Sequence, residues 1–449
     1  MFASLHQHKW AVLLDSAQQH PDYGRYSYIA IDPFKVLWAK DGHIMVDEQT
    51  ISRSADPFEY LNQFLLEFPL ETIPDLPPFQ GGVAGAFSYD LYQYLEDIPL
   101  HVSDDMAFPD MAIGLYDLVM AFDHEQEKAW LLSSGLPEKT PAARQRRAGA
   151  RLQYFLELIH TKPAEERVSS IASMEVSSNV TMPAYTAAVQ RVMDYILAGD
   201  VFEANLSQCF ASQLPPDLDP FSLYKRLRKL THAPFSAFIN LGDIQVVSAS
   251  PERFIQLDQG KVETRPIKGT RGRSPDPQLD RQWAQDLVNS EKDRAENVMI
   301  VDLLRNDLSK ICRDHSVQVS QLCALETYAS VHHLVSVITG ELQVGYNAVD
   351  VLKATFPGGS ITGAPKIRAM EIIADIEPSR RGIYCGSIGF IGFNGTMDTS
   401  IAIRTYTIKG RQLTFQAGGA VVLDSDPDEE YRETLVKARA LQQALTEAL

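Results

Sequence analysis

Residues 383–422 read IYCGSIGFIGFNGTMDTSIAIRTYTIKGRQLTFQAGGAVV, and this stretch indicates the fold class. It contains three apolar, β-branched runs, at 383–393, 397–408 and 412–422. The dipeptides Asn394-Gly395 and Lys409-Gly410 separate the runs, and Asn-Gly between apolar runs is typical of a two-residue hairpin turn. We therefore predict an antiparallel meander of three strands.

A helix is predicted directly after this meander. Asp426 suits the N-cap, Pro427 suits the first helical position, and the acids at 428–430 complement the helix dipole. Upstream, 235–254 reads as paired strands and 282–308 as one long helix. Strands and helices thus occur in blocks rather than in strict alternation, which predicts an α+β fold and not a doubly wound sheet.

Changes in composition divide the chain into three parts. Short β-like runs such as 26–31 and 35–40 predict antiparallel strands in an N-terminal region, 1–160, which closes on a run of helix formers. A serine-rich stretch marks 161–181 as a linker. The remaining residues, 182–449, are predicted to form the second part of the chain.

The charge balance limits the classes of partner. The 449 residues carry a formal net charge of −17, from 41 Lys and Arg against 58 Asp and Glu. This argues against a nucleic-acid backbone as partner, and an anionic ligand must be held by local cations or a metal ion. The four cysteines lack the spacing of a zinc site or a disulfide framework. Since no signal peptide or membrane span is recognisable, we predict a cytoplasmic protein.

Two predicted helices each carry a pair of acids. Asp293 and Glu296 form one pair and Glu430 and Glu433 the other; the i,i+3 spacing places each pair on one helix face. If the two faces meet, the four carboxylates offer the hard oxygen donors that Mg²⁺ prefers. Two solvated faces are the alternative, because Lys437 is placed to pair with Glu433.

Lys268 lies in the predicted loop 265–270, RPIKGT, after a β-like run. Its amine could act as a nucleophile, which requires the neutral form. Burial, or a cation such as Arg265, Arg271 or Mg²⁺, would then have to lower its pKa. The alternative is a loop lysine exposed to water.

Further polar groups interrupt apolar segments. Glu252 ends an apolar strand and could donate a proton to a leaving hydroxyl, or could form a strand-end ion pair. Arg404 lies inside a predicted strand, where an inward arginine usually meets a carboxylate. His333 is by default a packed histidine. Glycine-rich stretches at 358–366 and 417–420 could bind an anion through backbone amides, or could simply form turns.

Four motifs together resemble the chorismate-utilising enzyme family. They are DLLRND at 302–307, GAPK at 363–366, AIRT at 402–405 and the helix around Glu433-Thr434. Their order and spacing match across 182–449, which the resemblance implies is the chorismate-binding catalytic region, with a weaker match before it. The resemblance implies a layered α+β fold, with two β sheets packed between helical layers and an active site in the second part of the chain.

The resemblance also implies roles for the residues above. Mg²⁺ would be bound by Glu296 and Glu433, with Asp293 and Glu430 close by, and would hold the ring carboxylate of chorismate. The other implied substrate contacts are Arg404 and Tyr384 at the enolpyruvyl carboxylate, the amides of Gly418 and Gly419 beside it, and His333 and Thr362 along the ring.

Lys268 selects the branch of the family. A lysine here resembles the enzymes that form 4-amino-4-deoxychorismate on the route to 4-aminobenzoate and folate, whereas anthranilate synthases usually carry alanine. The implied reaction is attack of Lys268 on C2, loss of the C4 hydroxyl with Glu252 as general acid, and addition of ammonia at C4. Because no cysteine lies in a nucleophile elbow, a glutamine amidotransferase subunit is the implied ammonia source, in a heterodimer.

Two other functions remain as alternatives: an anthranilate synthase component and a catalytically inactive paralogue that binds tryptophan. Isochorismate formation is disfavoured, because relatives with that activity carry a lysine in the region 201–208 and this chain has none between Arg191 and Leu223. Glu203 and Cys209 depart from the family pattern, in which Gln and Arg are usual. The ring contacts at these two positions are left open.

The first region resembles the tryptophan pocket of the family. The residues implied to line it are Ser16, Tyr23, Gly24, Arg25, Tyr26, Pro234, Phe235 and Ser236. In the branch selected by Lys268 the resemblance implies a buried, structural tryptophan rather than feedback inhibition. Core packing of the aromatic side chains is the alternative.

Overall fold

The computed structural model describes residues 1–18, 23–52, 55–99, 102–160, 174–328 and 331–446. Within these residues the chain forms two large antiparallel sheets, and helices pack on the outer face of each. The inner faces of the sheets pack against each other around side chains such as Val12, Ala86, Val246 and Phe390. This layered α+β arrangement confirms the fold class predicted from the sequence.

Sheet 1 runs from the edge near residue 177 to the hairpin that ends at residue 133. Its strands in spatial order are β10 (Ser177–Ser178), β11 (Glu203–Gln213), β23 (Gln412–Val421), β22 (Thr405–Lys409), β13 (Ile244–Ser250), β12 (Phe235–Asn240), β1 (Ala11–Asp15), β2 (Tyr26–Ala30), β8 (Leu118–Asp123) and β9 (Lys128–Ser133), and β19 (Gly363–Ala364) also pairs with β11.

Sheet 2 contains the strand that carries Lys268 at one end. Its strands in spatial order are β16 (Ile267–Gly272), β18 (Val331–Glu341), β15 (Lys261–Thr264), β14 (Arg253–Asp258), β21 (Met397–Ile401), β20 (Ser387–Gly392), β6 (Gly82–Phe87), β7 (Met111–Tyr116), β3 (Lys35–Lys40), β4 (His43–Val46) and β5 (Gln49–Ser52), and β17 (Gln318–Thr327) also pairs with β18.

The helices supply the outer layers. They are α1 (Pro57–Glu67), α2 (Pro141–His160), α3 (Met182–Leu197), α4 (Pro220–Thr231), α5 (Pro277–Val288), α6 (Glu291–Ser309), α7 (Ala348–Thr355), α8 (Lys366–Ile376) and α9 (Pro427–Thr446). The Asp426 carboxylate accepts the amides of Asp428 and Glu429, both at 3.0 Å, so the predicted start of α9 is confirmed.

Both sheets combine strands from the two ends of the chain. In sheet 1, β1 pairs with β12, and in sheet 2, β6 pairs with β20. Of the predicted linker, 161–173 lies outside the described residues, while Met174 is buried and Ser177–Ser178 pairs with β11. The division of the chain into regions at residues 160 and 182 stays a prediction. The regions on either side of it each contribute strands to both sheets.

The meander predicted over 383–422 is only partly correct. Its strands form two hairpins, β20 with β21 and β22 with β23, but the first lies in sheet 2 and the second in sheet 1. The predicted strand 397–408 is therefore broken between Ile401 and Thr405, where the chain passes from one sheet to the other. Arg404, at the break, has a φ of 52°, which a continuous strand excludes.

The single helix predicted over 282–308 is wrong. Helix α5 ends at Val288 and α6 begins at Glu291, with Asn289 and Ser290 between them. The Ser290 hydroxyl accepts the Asp293 amide at 3.2 Å and caps the second helix. Both helices pack against β16 and β18.

No helix in the part of the chain that the structure describes is both long enough and apolar enough to cross a membrane.

Candidate active site

The candidate site lies where two segments cross between the sheets. One crossing, at Pro251-Glu252, leads from β13 to β14, and the other, at 402–404, leads from β21 to β22. The Ile401 amide donates to the Glu252 carbonyl and the Ala249 amide to the Arg404 carbonyl, each at 3.1 Å. These bonds fix the two crossings side by side and bring Glu252 close to Arg404.

Lys268 lies on β16, not in the loop predicted from the sequence. Strand β16 pairs with β18 through an irregular register between Ile267 and Thr270, and Gly269 adopts a φ of 82° there. The Lys268 side chain is only 8% exposed. Its ammonium donates a hydrogen bond of 2.6 Å to Oε1 of Glu203, a fully buried residue on β11. A salt bridge therefore joins the two sheets at this point.

The electrostatic environment of Lys268 differs from the prediction. Burial disfavours the ammonium, but attraction to the carboxylates of Glu203, Glu296 and Glu252 is stronger and raises the pKa of Lys268. The cations expected to lower it are engaged elsewhere: Arg265 pairs with Glu326, and Arg271 with Asp293. Burial and these two arginines therefore do not lower the pKa as predicted, and the surrounding carboxylates hold Lys268 as a cation.

Glu252 has the opposite charge preference. Its buried carboxyl accepts a hydrogen bond of 2.6 Å from the Ser360 hydroxyl. Burial raises the pKa of Glu252 to about 7, against the opposing effects of Ser360 and Lys268. A carboxyl with this pKa is protonated in a large fraction of molecules near neutral pH, as a general acid must be. The alternative, a strand-end ion pair of Glu252 with the adjacent Arg253, is not formed, because Arg253 pairs with Asp398 and Glu263.

Arg404 and His333 lie near this carboxyl. Burial lowers the pKa of Arg404 and attraction to Glu252 opposes that effect, but no side chain among the described residues hydrogen-bonds to or pairs with the guanidinium. Burial and the charge of Arg404 lower the pKa of His333 to about 3, so the imidazole is neutral. Its Nδ1 lies 2.8 Å from the Thr270 hydroxyl. Arg404 is thus a partly buried cation available for an anion.

The other predicted substrate contacts surround the crossings. Tyr384 is buried before β20, and the Thr362 hydroxyl donates to the Gly358 carbonyl at 3.0 Å. Strand β22 pairs with β23 only as far as Phe415, so 416–421 has a strand neighbour on one side, β11. Alternate amides there, near the predicted Gly418 and Gly419, are free of the sheet ladder and can bind an anion.

The two acidic helix faces meet. The Lys292 ammonium lies 4.0 Å from Glu296 on α6 and 3.9 Å from Glu430 on α9. A Cβ atom on Gly419 would lie 2.9 Å from a Glu433 oxygen and 3.2 Å from a Glu430 oxygen, so glycine leaves room for both carboxylates. Glu430 and Glu433 therefore lie together near the end of β23, and Lys292 links Glu430 to Glu296 on the facing helix.

The crowded carboxylates fit a hard cation. Burial raises the pKa of Glu296 to about 7, opposed by Lys268 and reinforced by Glu203. Burial also raises the pKa of Glu430. Burial acts in the same direction on Glu433, but the positive charge of Lys437 and of other nearby lysines outweighs it, so the pKa of Glu433 is lowered. Within the described ranges no three His, Cys, Asp or Glu side chains already surround one point. The donor set nonetheless matches the oxygen ligands of Mg²⁺, and Lys292 occupies the position of a cation between two of them.

Some structural residues of the site were not identified from the sequence. Arg381, buried and paired with Glu377 at 2.8 Å, donates to the carbonyls of Ile361 and Asn205. It thereby holds the segment before β19 against β11. The pair is spaced i,i+4, but α8 ends at Ile376, so helical periodicity could not reveal it.

The family motifs 302–307 and 363–366 meet through one ion pair. The Lys366 ammonium lies 2.5 Å from the buried Asp307 carboxylate and also donates to the Thr355 carbonyl. Asp307 and Lys366 therefore fix α8 on α6. Ala364 of the second motif pairs with Glu203, which belongs to the group we call the Lys268 cluster, namely Lys268, Glu203, Glu252, Glu296 and Arg404. Cys209, the second departure from the family pattern, lies six residues beyond Glu203 on β11, about 20 Å away at the rise of an extended strand.

A separate cavity of about 300 Å³, which we call the inter-sheet cavity, lies between β1, β12, β14 and β21. The structure places all eight residues of the predicted tryptophan pocket on its lining, namely Ser16, Tyr23, Gly24, Arg25, Tyr26, Pro234, Phe235 and Ser236. The rings of Tyr23 and Phe235 stack at 5.7 Å. Packing alone does not fill the space between them and the opposite sheet.

The fold and this arrangement define an enzyme that binds chorismate. A family model for chorismate binding enzymes matches residues 10–443, and the chain belongs to that family. It is 42% identical to aminodeoxychorismate synthase component 1 of Salmonella typhimurium over 443 residues, which covers 98% of this chain and 94% of the relative.

Anthranilate synthases are also similar. Anthranilate synthase component 1 of Thermus thermophilus is 37% identical over 433 residues, covering 96% of this chain and 91% of the relative. The crystal structure of anthranilate synthase component I from Streptococcus pneumoniae TIGR4 has a TM-score of 0.83 and 33% identity, covering 95% of this chain and 93% of that one.

Proposed function

We propose that this protein is an enzyme that converts chorismate and ammonia to 4-amino-4-deoxychorismate, on the route to 4-aminobenzoate and folate. The observation that carries the proposal is the buried Lys268 between Glu203 and Glu252, in a chain with near-full-length similarity to aminodeoxychorismate synthase component 1. An amine buried next to a protonated carboxyl combines a nucleophile with an acid for the leaving group.

In the proposed reaction Lys268 and Glu252 act on opposite ends of the ring diene. The Lys268 amine bonds to C2, the double bonds shift, and the C4 hydroxyl leaves as water with the proton of Glu252. Ammonia then bonds to C4, the double bonds shift back, and the bond between C2 and Lys268 breaks. The ammonium group formed at C4 then gives a proton to Glu252, which restores the general acid.

Arg404 and Tyr384 are proposed to bind the enolpyruvyl carboxylate, with the amides near Gly418 and Gly419. The support for Arg404 is its guanidinium, which lacks a protein carboxylate partner within the described residues. His333 and Thr362 would line the ring, and the neutral imidazole of His333 adds no charge beside Arg404.

Glu296, Glu433, Glu430 and Asp293 are proposed to hold Mg²⁺. When bound, the ion would supply positive charge that orients and neutralises a carboxylate. Glu433→Gln should weaken Mg²⁺ binding measured by isothermal titration calorimetry, together with chorismate binding. Glu429→Gln, an exposed acid of the same helix, is the matched control. An unchanged Mg²⁺ affinity in Glu433→Gln would remove this residue from the ligand set.

A glutamine amidotransferase subunit is proposed as the source of ammonia, in a heterodimer with this chain. The support is that the similar relatives are named as component 1 of their synthases, which indicates a second component. Glutamine should then replace ammonium salts only when that subunit is added, and glutamine-dependent turnover by this chain alone would contradict the proposal.

Tryptophan is proposed as the ligand of the inter-sheet cavity, in a structural role. Stacked aromatic rings and paired charges on the cavity wall suit an aromatic amino acid. Protein that is denatured after extensive dialysis should release tryptophan, detected by mass spectrometry. If tryptophan instead inhibits turnover, the cavity is regulatory.

Product analysis tests the function directly. We expect purified protein with chorismate, Mg²⁺ and an ammonium salt to yield 4-amino-4-deoxychorismate. Anthranilate with release of pyruvate, and no aminodeoxychorismate, would assign the protein to the anthranilate synthases. Absence of both products even with the amidotransferase present would favour an inactive tryptophan-binding paralogue.

A further inference from the structure

In the Lys268–Glu203 ion pair the Lys268 side chain is an ammonium, whereas the proposed reaction requires the neutral amine. The amine can attack C2 only after the ammonium loses a proton. Nearby carboxylates hold that proton on Lys268, and the side chain is almost wholly enclosed. A nearby acceptor must therefore take the proton when substrate reacts.

Three buried or partly buried carboxyls lie around the amine, and two are poorly suited to accept its proton. Glu252 is the general acid, so it must already carry a proton when the C4 hydroxyl leaves. Glu296 influences Lys268 through its charge, but no hydrogen bond joins the two side chains. Glu203 is the carboxylate that accepts the Lys268 hydrogen bond, at 2.6 Å. This is the geometry that direct proton transfer requires.

The second oxygen of Glu203 supports the same assignment. Oε2 is buried and has no hydrogen-bond partner among the described residues. A buried carboxylate with an unsatisfied oxygen is costly, and protonation would reduce that cost by removing the charge.

We propose that Glu203 is a catalytic residue that takes the proton of Lys268 as the amine attacks and returns it when the amine is released. This role rests on the proposed function. The two carboxyls then have complementary tasks: Glu203 activates the nucleophile, and Glu252 protonates the leaving hydroxyl.

The proton balance closes over one turnover. Transfer from Nζ to Glu203 gives a neutral amine and a carboxylic acid, and the amine lone pair then forms the bond to C2. The adduct nitrogen is a secondary ammonium, and when the C2–N bond breaks the amine leaves with the electron pair. Glu203 returns its proton to that amine, so chorismate and ammonia give aminodeoxychorismate and water.

The assignment predicts a specific pH dependence. With Glu203 present the proton stays within the pair, so forming the nucleophile requires no exchange with solvent. In Glu203→Gln the amide can accept the hydrogen bond but not the proton. The Lys268 ammonium must then lose its proton to solvent before the amine can attack. Lys268 still faces Glu252, Glu296 on α6 and Glu433 on α9, whose charges favour its ammonium.

The experiment measures the rate at which chorismate forms an adduct on the protein without ammonia, by intact mass spectrometry between about pH 6 and pH 9. Near pH 6.5 we expect Glu203→Gln to react ~10²-fold to 10⁴-fold more slowly than the wild type. The ratio of variant to wild-type rate, in which the contribution of Glu252 cancels, should rise by up to about tenfold per pH unit.

Two further variants keep the test decisive. Glu203→Asp, which retains a carboxylate, should be slower than the wild type with a rate ratio independent of pH. Glu263→Gln removes a partly buried, Arg253-paired acid outside the Lys268 cluster and should match the wild type. Equal chorismate dissociation constants for Glu203→Gln and the wild type would exclude a folding defect.

The outcomes separate this inference from the proposed function. If the wild type forms aminodeoxychorismate but the rate ratio for Glu203→Gln stays flat across the pH range, the assignment of Glu203 is wrong and the function stands. If the wild type forms neither adduct nor aminodeoxychorismate, the proposed function itself fails.

Discussion

The Lys268 cluster and the inter-sheet cavity are both buried polar regions, yet their charged groups differ in whether they have hydrogen-bond or ion-pair partners. In the cavity wall, Asp15 accepts hydrogen bonds from Tyr224 and Arg228, and Arg253 pairs with Asp398. In the Lys268 cluster, the Arg404 guanidinium and one Glu203 oxygen have no partner among the described residues. The charged groups of the cavity wall are therefore paired, whereas some charged groups of the Lys268 cluster are not.

The difference distinguishes a binding pocket from a reaction site. Paired charges keep a cavity in one shape at little electrostatic cost, which suits a ligand that stays bound. Unpaired charges and carboxyls with a pKa of about 7 are costly to the folded protein, but they can exchange protons and bind the charges of a substrate. The comparison yields four predictions, given from the largest effect on turnover to the smallest.

Lys268→Ala should reduce aminodeoxychorismate formation by ~10³-fold or more, because the nucleophile is lost. Residual activity should give anthranilate, since ammonia could then reach C2. Lys261→Ala, at an exposed position on β15, is the control and should keep full activity. The measurement is product analysis at saturating chorismate. Aminodeoxychorismate formed at an unchanged rate would rule out the covalent mechanism.

Glu252→Gln should lower kcat by ~10²-fold to 10⁴-fold, since an amide cannot protonate the leaving hydroxyl. Because Glu252 acts in its protonated form with a pKa of about 7, wild-type kcat should fall as the pH rises through that value. The variant should lack this limb of the pH profile. A limb that persists in Glu252→Gln would assign it to another group.

Arg404→Met should raise KM for chorismate by about 10-fold to 100-fold, the loss expected for a charge-assisted hydrogen bond. The Tm should not fall, because no ion pair with a described residue is broken and a partly buried charge is removed. Arg411→Met, on the following turn, is the control. A lower Tm with unchanged KM would make Arg404 a structural residue.

Ser236→Met should change kcat by less than about twofold, because Ser236 lies on the inter-sheet cavity and not in the Lys268 cluster. The larger side chain should reduce the amount of tryptophan retained per protein and destabilise the fold by about 1–3 kcal/mol through overpacking. These are measured by mass spectrometry and thermal unfolding. A tenfold loss of kcat would show that the two regions are coupled.

Local sequence signals predicted local features well. Asp426 caps α9 as expected, strands form over most of 26–31 and over 35–40, and the paired strands within 235–254 form. Each of these depends on neighbouring residues alone. The break before α6 was missed, although Ser290 is a suitable N-cap, because the apolar periodicity continues through it.

The charge state of the site could not be predicted from the sequence. Lys268, Glu203 and Glu252 are far apart in the chain and meet only because β11, β16 and the crossing after β13 converge. A pKa depends on burial and on charges a few ångströms away, and neither is encoded by spacing. For this reason Glu203 was noted only as a departure from the family pattern, and the rise in the pKa of Lys268 was not predicted.

The sequence by itself determined the α+β class, the start of α9 and most of the residues proposed to react, since these follow from local propensity and from motifs that resemble a known family. Only the tertiary structure decided that the predicted meander divides between two sheets. That division places Glu252 and Arg404 side by side at the crossings, because strand pairing is set by packing between distant segments. It also decided that Lys268 is paired with Glu203 and not exposed to water.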